Sequence, residues 1–549
     1  MPQTHPLLDN RVFAALMTVV GAVWLVGLPV DVMDNDAAQY AHLARQMLAS
    51  GEYLQIKNRN WEYLDKPPLH LWLSALSYAV FGVGVVAYKL PAVVMAAVGV
   101  VSTGGLARVY YTEAVARSAA LMVASCQALF LITNDVRTDT VLLGATALAL
   151  WQLAEFERNG SKRAFILMCL GVSGAMQTKG PIGLMVPALA LISDAALKRQ
   201  WRRLVRPAWL LAAVLVLLSL APMTWGLWKQ HGETGVRFYF WTQSFGRITG
   251  ESIWKDDTTP LFFTHTFIWS FLPWSLLAVP AWFSRVRTIF RAKGHIDNAA
   301  EAFTVGAFTL AFVAFSLSRY KLPHYIFVLF PLAAIITAAW LDQMLGAPNK
   351  LMRVLQLTQL AAATAPLILL GMFAVWAFPM ESVVLWAVVA VLVGAGALSL
   401  RSPEPFWRLM GAPLGCMLAF NVVLAGHGFP SALQYQAGMA AARMLLRSEI
   451  PLDRLYAMDG TLAYSMDFYL HKPMREVAVE NLPELTREGP VWLFTTENGV
   501  NKTRDAGYPV TVVQTFMDHK VSRLNGPFLN PQTRQSTLQP RHLLRVDAR

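Results

Sequence analysis

Apolar runs long enough to cross a bilayer recur from Val12 to about residue 427, and nothing else limits the fold of this chain so tightly. A helix rises about 1.5 Å per residue, so roughly 17–25 apolar residues cross the hydrocarbon layer. Runs that reach or approach this length fall at 12–30, 88–107, 117–133, 138–156, 164–179, 182–197, 207–228, 262–284, 300–317, 324–341, 354–377, 383–400 and 409–427. They are continuous rather than alternating, which selects helices over a β-barrel. Charged residues make up 15% of the 549, against about 25% in soluble chains, and the mean hydropathy is +0.42. The expected fold class is a polytopic α-helical membrane protein of about thirteen spans.

Charge sets the sides. Arg108/Arg117, Arg158/Lys162/Arg163, Lys198 to Arg206, Arg285 to Lys293, Lys350/Arg353 and Arg401/Arg408 form one family of short basic loops, expected to be cytoplasmic. The net charge of +12 thus reports topology, and no nucleic-acid motif accompanies it. Leu69 to Val86 tests the scheme. A crossing there would put every later basic loop on the other side, and the run breaks at Gly82 and Gly84. It is therefore read, with an Ala37–Leu48 helix, as one of two juxtamembrane helices on the outer surface. The N-terminal segment lacks a small-residue cleavage site before its apolar run and reads as a retained first helix. Cys126, Cys169 and Cys416 all fall inside apolar runs, so neither a disulfide nor a cysteine metal site is expected.

The outer side then receives the polar clusters. Residues 1–428 are expected to form the transmembrane domain, with long outer loops at 31–87 and 229–261. Residues 429–549 contain short strand-like runs at Leu455–Met458, Val491–Thr496 and Val510–Phe516 and read as a small outer α/β domain. The end after Pro527 is polar and is expected to be ordered only against the membrane domain. The stretch from Asp31 to Trp72 carries six carboxylates and four Lys/Arg directly after the first apolar run. Asp34 and Asp36 lead it, with Asp36 expected as the N-cap of an amphipathic surface helix. Asp139 heads the fourth run beside Thr138 and Thr140, where a capping role is the ordinary alternative. Lys66 precedes a double proline that enforces extended backbone, where a lysine also serves to snorkel toward headgroups. Arg247 lies among aromatics in the long second loop. Lys321, His324 and Tyr325 cluster in SLSRYKLPHYIF, and Lys179 ends QTK before Gly-Pro.

Carboxylates and cations drawn from distant loops to one side of a membrane suit transfer of a group away from a phosphate leaving group. Cations stabilise the charge that develops on phosphate, and a carboxylate orients or deprotonates the attacking oxygen. A nucleotide-dependent enzyme would need a P-loop or dinucleotide fold, and neither motif is present. A transporter of lipid-linked sugars would need ionisable groups near mid-membrane, where these runs are nearly uncharged.

Taken together, DNDAAQYAHLARQMLASGEY, YLDKPPLHLWLSAL, TDTVLLGATALAL, QTKGPIGLMVP and RYKLPHYIFVLFPLAAI resemble the bacterial lipid A aminoarabinose transferases and, more distantly, the protein O-mannosyltransferases, both of GT-C architecture. The resemblance implies an inverting glycosyltransferase that takes its sugar from a polyprenyl-phosphate carrier, such as undecaprenyl phosphate. The acceptor would be a lipid such as lipid A, or a protein in the more distant branch. It implies an active site on the periplasmic face of the inner membrane among bilayer lipids, in a monomer. By motif position it makes Asp36 and Asp139 catalytic, and gives the donor phosphate to Lys66, Arg247 and Lys321. It assigns the sugar and acceptor pocket to Tyr63, Asp65 and Tyr325; Asp34 and His324 join it by proximity. Two departures stand out: Ala37 follows Asp36 where the family often has Glu, and Asp65 replaces a Glu. Both bear on which sugar is carried. No cofactor is implied; a divalent metal at His231, His265, His324 and Asp256/Asp257 is left open.

Overall fold

The computed structural model describes residues 8–243, 246, 258–292, 299–345 and 351–549. The chain opens on α1 (Asn10–Val26), started by the Asp9 carboxylate accepting from Val12 N at 2.8 Å. The first loop folds as α2 (Asp36–Ser50), a short hairpin β1 (Lys57–Asn58) and β2 (Trp61–Glu62), and α3 (Leu69–Phe81). Then come α4 (Val85–Tyr110), α5 (Glu113–Ser125), α6 (Gln127–Asn134), α7 (Thr138–Asn159), α8 (Lys162–Lys179), α9 (Ile182–Leu197) and α10 (Pro207–Arg237). The second half of the helical region runs through α11 (Phe262–Ser270), α12 (Ser275–Arg291), α13 (Ala299–Ser316), a 3-10 turn at Pro323–Leu329, α14 (Phe330–Leu345), α15 (Leu351–Gly371), α16 (Val383–Ser399) and α17 (Pro405–Val423).

Every expected apolar run falls on a helix or a broken pair of helices, but length and composition alone do not reproduce thirteen spans. Among the described residues five helical segments are long and apolar enough to cross a membrane: Val85–Tyr110, Pro207–Thr242, Pro323–Leu345, Leu351–Ala377 and Pro405–Leu433. The α5–α6 pair, bent by 47°, makes six. The other runs carry charged ends or stop short. The basic loops lock together by ion pairing: Glu157 accepts from Arg203 and Arg206, and Asp194 from Arg203 and Lys198. At the other end of the helices, the Lys89 ammonium donates to the Gly27 carbonyl at 2.9 Å, which also accepts from Val30 N at 3.3 Å.

In the first loop α3 has 13 residues, about 20 Å of rise, and is too short to span, as expected. Two expectations change. Asp36 is the first helical residue, with Asn35 as N-cap. And α2 is covered by protein: Ala37, Ala38, Tyr40, Ala41, Leu43, Ala44 and Met47 are all buried, against α3 on one side and a C-terminal helix on the other. Its alanine-rich face lets both neighbours approach closely.

The C-terminal region opens with α18 (Ala437–Leu445), then β3 (Leu455–Ala457), α19 (Tyr464–Tyr469), β4 (Arg475–Glu476), β5 (Val491–Thr496), α20 (Glu497–Asp505), β6 (Val510–Asp518) and β7 (Gln539–Val546). The sheet order is β4-β3-β5-β7-β6, with β4, β3 and β5 parallel and β7 antiparallel to both neighbours. The three expected strand runs are β3, β5 and β6. The expectation for the tail is corrected: β7 lies inside the sheet, between β5 and β6. Its Leu543, Leu544 and Val546 are fully buried, so the end of the chain completes the sheet core.

Candidate active site

Several chain segments meet at one cavity of about 240 Å³, among them the start of α2, the Asp65-Lys66 stretch before α3, the start of α7, the end of α8, Gln243 beyond α10 and the 3-10 turn at Pro323. Helix ends explain which charges are there. Asp36 and Asp139 lie in the first turns of α2 and α7, where free N–H groups favour a carboxylate. Lys179 is the last residue of α8, where free carbonyls favour a cation. Gly180 (φ 72°) then turns the chain away, a conformation that glycine adopts without strain.

The two carboxylates are held differently. Asp139 is only 3% exposed; Lys179 Nζ pairs with one oxygen at 2.5 Å, and His324 Nε2 lies 3.7 Å from the other. The same Lys179 ammonium stands 4.3 Å above the Tyr325 ring, and His324 meets Tyr325 edge-on. Asp36 keeps 48% of its side chain exposed while Arg137 pairs with it at 2.5 Å. Arg137 is held from behind by Asp135 at 2.8 Å. Lys66 pairs with Asp65 at 2.7 Å, and Gln243 donates to the Asp65 carbonyl. Three cations thus face the lining carboxylates Asp36, Asp65 and Asp139, of which Asp36 is the most exposed, at 48% against 40% for Asp65. Burial raises the Tyr40 hydroxyl, on the cavity wall, well above its usual range, so it stays protonated and can donate.

Of the residues singled out by sequence, Asp36, Asp65, Lys66, Asp139, Lys179, His324 and Tyr325 line this cavity. Tyr63 lines a small adjoining cleft that shares Lys66 and Gln243 with it. Its hydroxyl is buried without a hydrogen-bond partner among the described residues, and burial raises its pKa well above the usual range. Lys321 is buried outside the lining and donates to the Thr258 carbonyl and hydroxyl at 3.2 and 3.3 Å. Asp34 faces elsewhere: its carboxylate accepts from Ser465 N at 2.9 Å, and from the Ser465 hydroxyl, at the start of α19. Arg247, Asp256 and Asp257 lie outside the described residues. Among the described residues no three His, Cys, Asp or Glu side chains group to hold a metal. His231 instead faces Glu62 at 3.4 Å.

Sequence reasoning passed over Arg137, and gave Lys179 no role, although each lies one motif away from an assigned carboxylate. An arginine between two aspartates in a four-residue outer loop was the available signal. Tyr40 and Gln243 offered none, because each is one of many polar groups on a helical stretch.

A family model described as dolichyl-phosphate-mannose-protein mannosyltransferase matches residues 65–228, which include Lys66, Asp139 and Lys179. An undecaprenyl phosphate-alpha-4-amino-4-deoxy-L-arabinose arabinosyl transferase of Edwardsiella ictaluri is 24% identical over 480 residues, covering 83% of this chain and 84% of the relative. One from Pseudomonas aeruginosa is 28% identical over 349 residues, covering 61% and 60%. The crystal structure of ArnT from Cupriavidus metallidurans bound to undecaprenyl phosphate superposes with a TM-score of 0.76 at 19% identity, over 98% of both chains. The chain has the fold of that ArnT structure. The shared fold extends through the C-terminal sheet, where the sequence motifs give out, as well as through the helical region.

Proposed function

We propose that the chain is an integral membrane glycosyltransferase. It moves a sugar, an amino sugar such as 4-amino-4-deoxy-L-arabinose, from undecaprenyl phosphate to a lipid acceptor such as lipid A, on the periplasmic side of a bacterial inner membrane. The observation that carries this reading is the cavity itself. An open carboxylate, Asp36, shares about 240 Å³ with Lys66, Arg137 and Lys179, in a chain whose relatives are named for this donor.

In this reading the acceptor oxygen attacks the anomeric carbon from the side opposite the phosphate. The carbon–oxygen bond to the carrier breaks, its electron pair leaves on the polyprenyl phosphate, and the configuration inverts. Lys66, with Arg247 by motif position, balances the charge on that leaving group. Lys66 is held by Asp65 in the free protein, and an arriving phosphate would compete for it. A hydroxyl acceptor passes its proton to Asp36; a phosphate acceptor is already anionic, and Asp36 with Arg137 then orients it. Asp139, locked by Lys179 and His324, fixes the floor against which the sugar rests.

Native mass spectrometry of the detergent-purified protein tests donor binding. Wild type is expected to retain undecaprenyl phosphate, and Lys66→Ala to lose it. Equal retention by the two proteins would remove Lys66 from the donor site.

A further inference from the structure

A second, larger cavity of about 460 Å³ opens on the other face of the Asp34–Asp36 turn. Asn35 lines it, while the next residue, Asp36, lines the cavity described above. Consecutive Cα atoms are about 3.8 Å apart, so the linings of the two spaces adjoin at the Asn35–Asp36 step of the backbone. The remaining walls belong to the C-terminal region: the start of α18, the loop leaving β3, and the turn between β6 and β7.

The cavity has the placement and chemistry of a ligand site. It lies past the carboxyl end of the parallel strand β3, at Gly460 and Thr461, beside Phe494 of the parallel β5. Crevices past the carboxyl ends of parallel strands are where open α/β sheets bind ligands. Its volume falls in the range of about 300–1,000 Å³ that small-molecule sites occupy, and it is about twice that of the first cavity. Ala437, Gly438, Gly460 and Ala463 give it a small-residue surface. Gly438 is required there, since a Cβ would come within 2.5 Å of the Ala463 methyl.

Its polar groups divide into spent and unspent. Gln436 is fully used, accepting from Asp34 N at 2.8 Å and donating to the Val32 carbonyl at 2.9 Å, which fixes the turn. Asp518 accepts from Ala437 N at 3.1 Å and from Arg541 at 3.4 Å. The His519 ring stacks on Phe528 with 4.0 Å between centroids, yet its Nε2 is buried without a partner among the described residues. Lys520 is exposed and its ammonium has no acceptor among the described residues. The unspent groups are therefore a cation, an imidazole nitrogen and the Asn35 amide, set against small residues, with Arg541 and the already engaged carboxylates of Asp34 and Asp518 also in the lining.

We propose that this cavity holds the acceptor, as a phosphorylated saccharide headgroup whose anionic substituent meets Lys520 and His519. The headgroup is thereby presented to Asp36 across the Asn35 turn. This rests on the glycosyl-transfer reading above, and it gives the C-terminal region the task of acceptor selection.

The test compares wild type with Lys520→Glu, which reverses the cation at an exposed position, and Leu462→Trp, which fills the cavity from its wall. Lipid A is the acceptor probe and undecaprenyl phosphate the donor-side probe, both read by native mass spectrometry, with the acceptor KM read by transfer. Loss of one charge-assisted contact, about 1.5–3 kcal/mol, corresponds to a rise of roughly tenfold or more in acceptor KM. Retention of undecaprenyl phosphate is expected to stay at the wild-type level in both variants. Wild-type acceptor KM in both variants would overturn the inference while leaving the transferase reading in place. A wild-type protein that neither binds lipid A nor transfers to it would overturn that reading of the acceptor, and the inference with it. A parallel loss of both probes would also overturn it, because a general structural defect, not an acceptor site, would then explain the effect.

Discussion

Removing the Asp467 charge should loosen the seam that holds α2, and the size of the effect follows from its surroundings. The Asp467 carboxylate is 0% exposed and accepts from Arg59 Nε at 2.7 Å and from Met474 N at 2.7 Å. Arg45 is also in the seam, only 8% exposed and donating to the His471 carbonyl. Asp467→Asn would remove the charge that two largely buried guanidinium groups face, and would turn one of the two oxygens that accept from Arg59 and Met474 into an NH2 donor. Breaking a buried pair from one side costs about 3–5 kcal/mol. Against that, burial already works on the carboxylate, raising its pKa to about 6, so the lower end, about 3 kcal/mol, is expected. That is roughly a hundredfold in a local opening equilibrium. Hydrogen exchange of the α19 amides, read by mass spectrometry in detergent, should accelerate by that factor. The double variant Arg59→Met/Asp467→Asn should recover part of it, because only Arg45, held also by the His471 carbonyl, then faces the amide. Exchange within threefold of wild type, or no recovery in the double variant, would refute the argument that this buried pair clamps α2.

The remaining predictions concern other links of the same structure. The pH dependence of the seam has opposing parts. Burial lowers His42 to about 3 and His70 to about 4, so both fold neutral, and stability present above pH 6.5 is lost as pH falls. Burial raises Asp34 and Asp467 to about 6, so these two add stability as pH falls from 6 toward 4. At pH 5 each histidine costs about 2 kcal/mol and each carboxyl returns about 1.4 kcal/mol. Wild type should therefore melt slightly lower at pH 5 than at pH 7.5, and His42→Gln should abolish or reverse that slope. Gly144→Ala should lower the melting temperature, because the added Cβ would lie 2.3 Å from the Met95 carbonyl where α4 and α7 touch; overpacking of this kind costs about 1–3 kcal/mol. Deleting residues 539–549 removes β7 from between β5 and β6 and should leave the C-terminal region open to protease at native temperature.

Much of the helical region was legible because bilayer length and loop charge are coarse signals that survive without tertiary information. The residues around the cavity were legible where a motif fixes backbone, as at Lys66-Pro67-Pro68, or where a charge has no other reason to stand beside an apolar run, as at Asp36 and Asp139. Three things were not. The burial of α2 depends on α19, more than 400 residues away, and an alanine-rich amphipathic face looks the same at a lipid surface. The register of β7 is set by partners on both sides, while its own sequence, QPRHLLRV, opens with proline and charge. Asp34 and Asp36 are indistinguishable by composition, yet one turns to Ser465 and the other to Arg137, a difference set by one residue of phase at the start of a helix.

The most direct measurement of the central claim is transfer itself. The purified protein in nanodiscs would be given undecaprenyl phosphate-alpha-4-amino-4-deoxy-L-arabinose and lipid A, and the lipid A product read by mass spectrometry for wild type and Asp36→Asn. The account expects sugar-bearing lipid A from wild type and a loss of roughly 10²–10⁴ in rate on removing the carboxylate charge. Full transfer by a folded Asp36→Asn protein, or intact donor and unmodified lipid A after prolonged incubation with wild type, would contradict it.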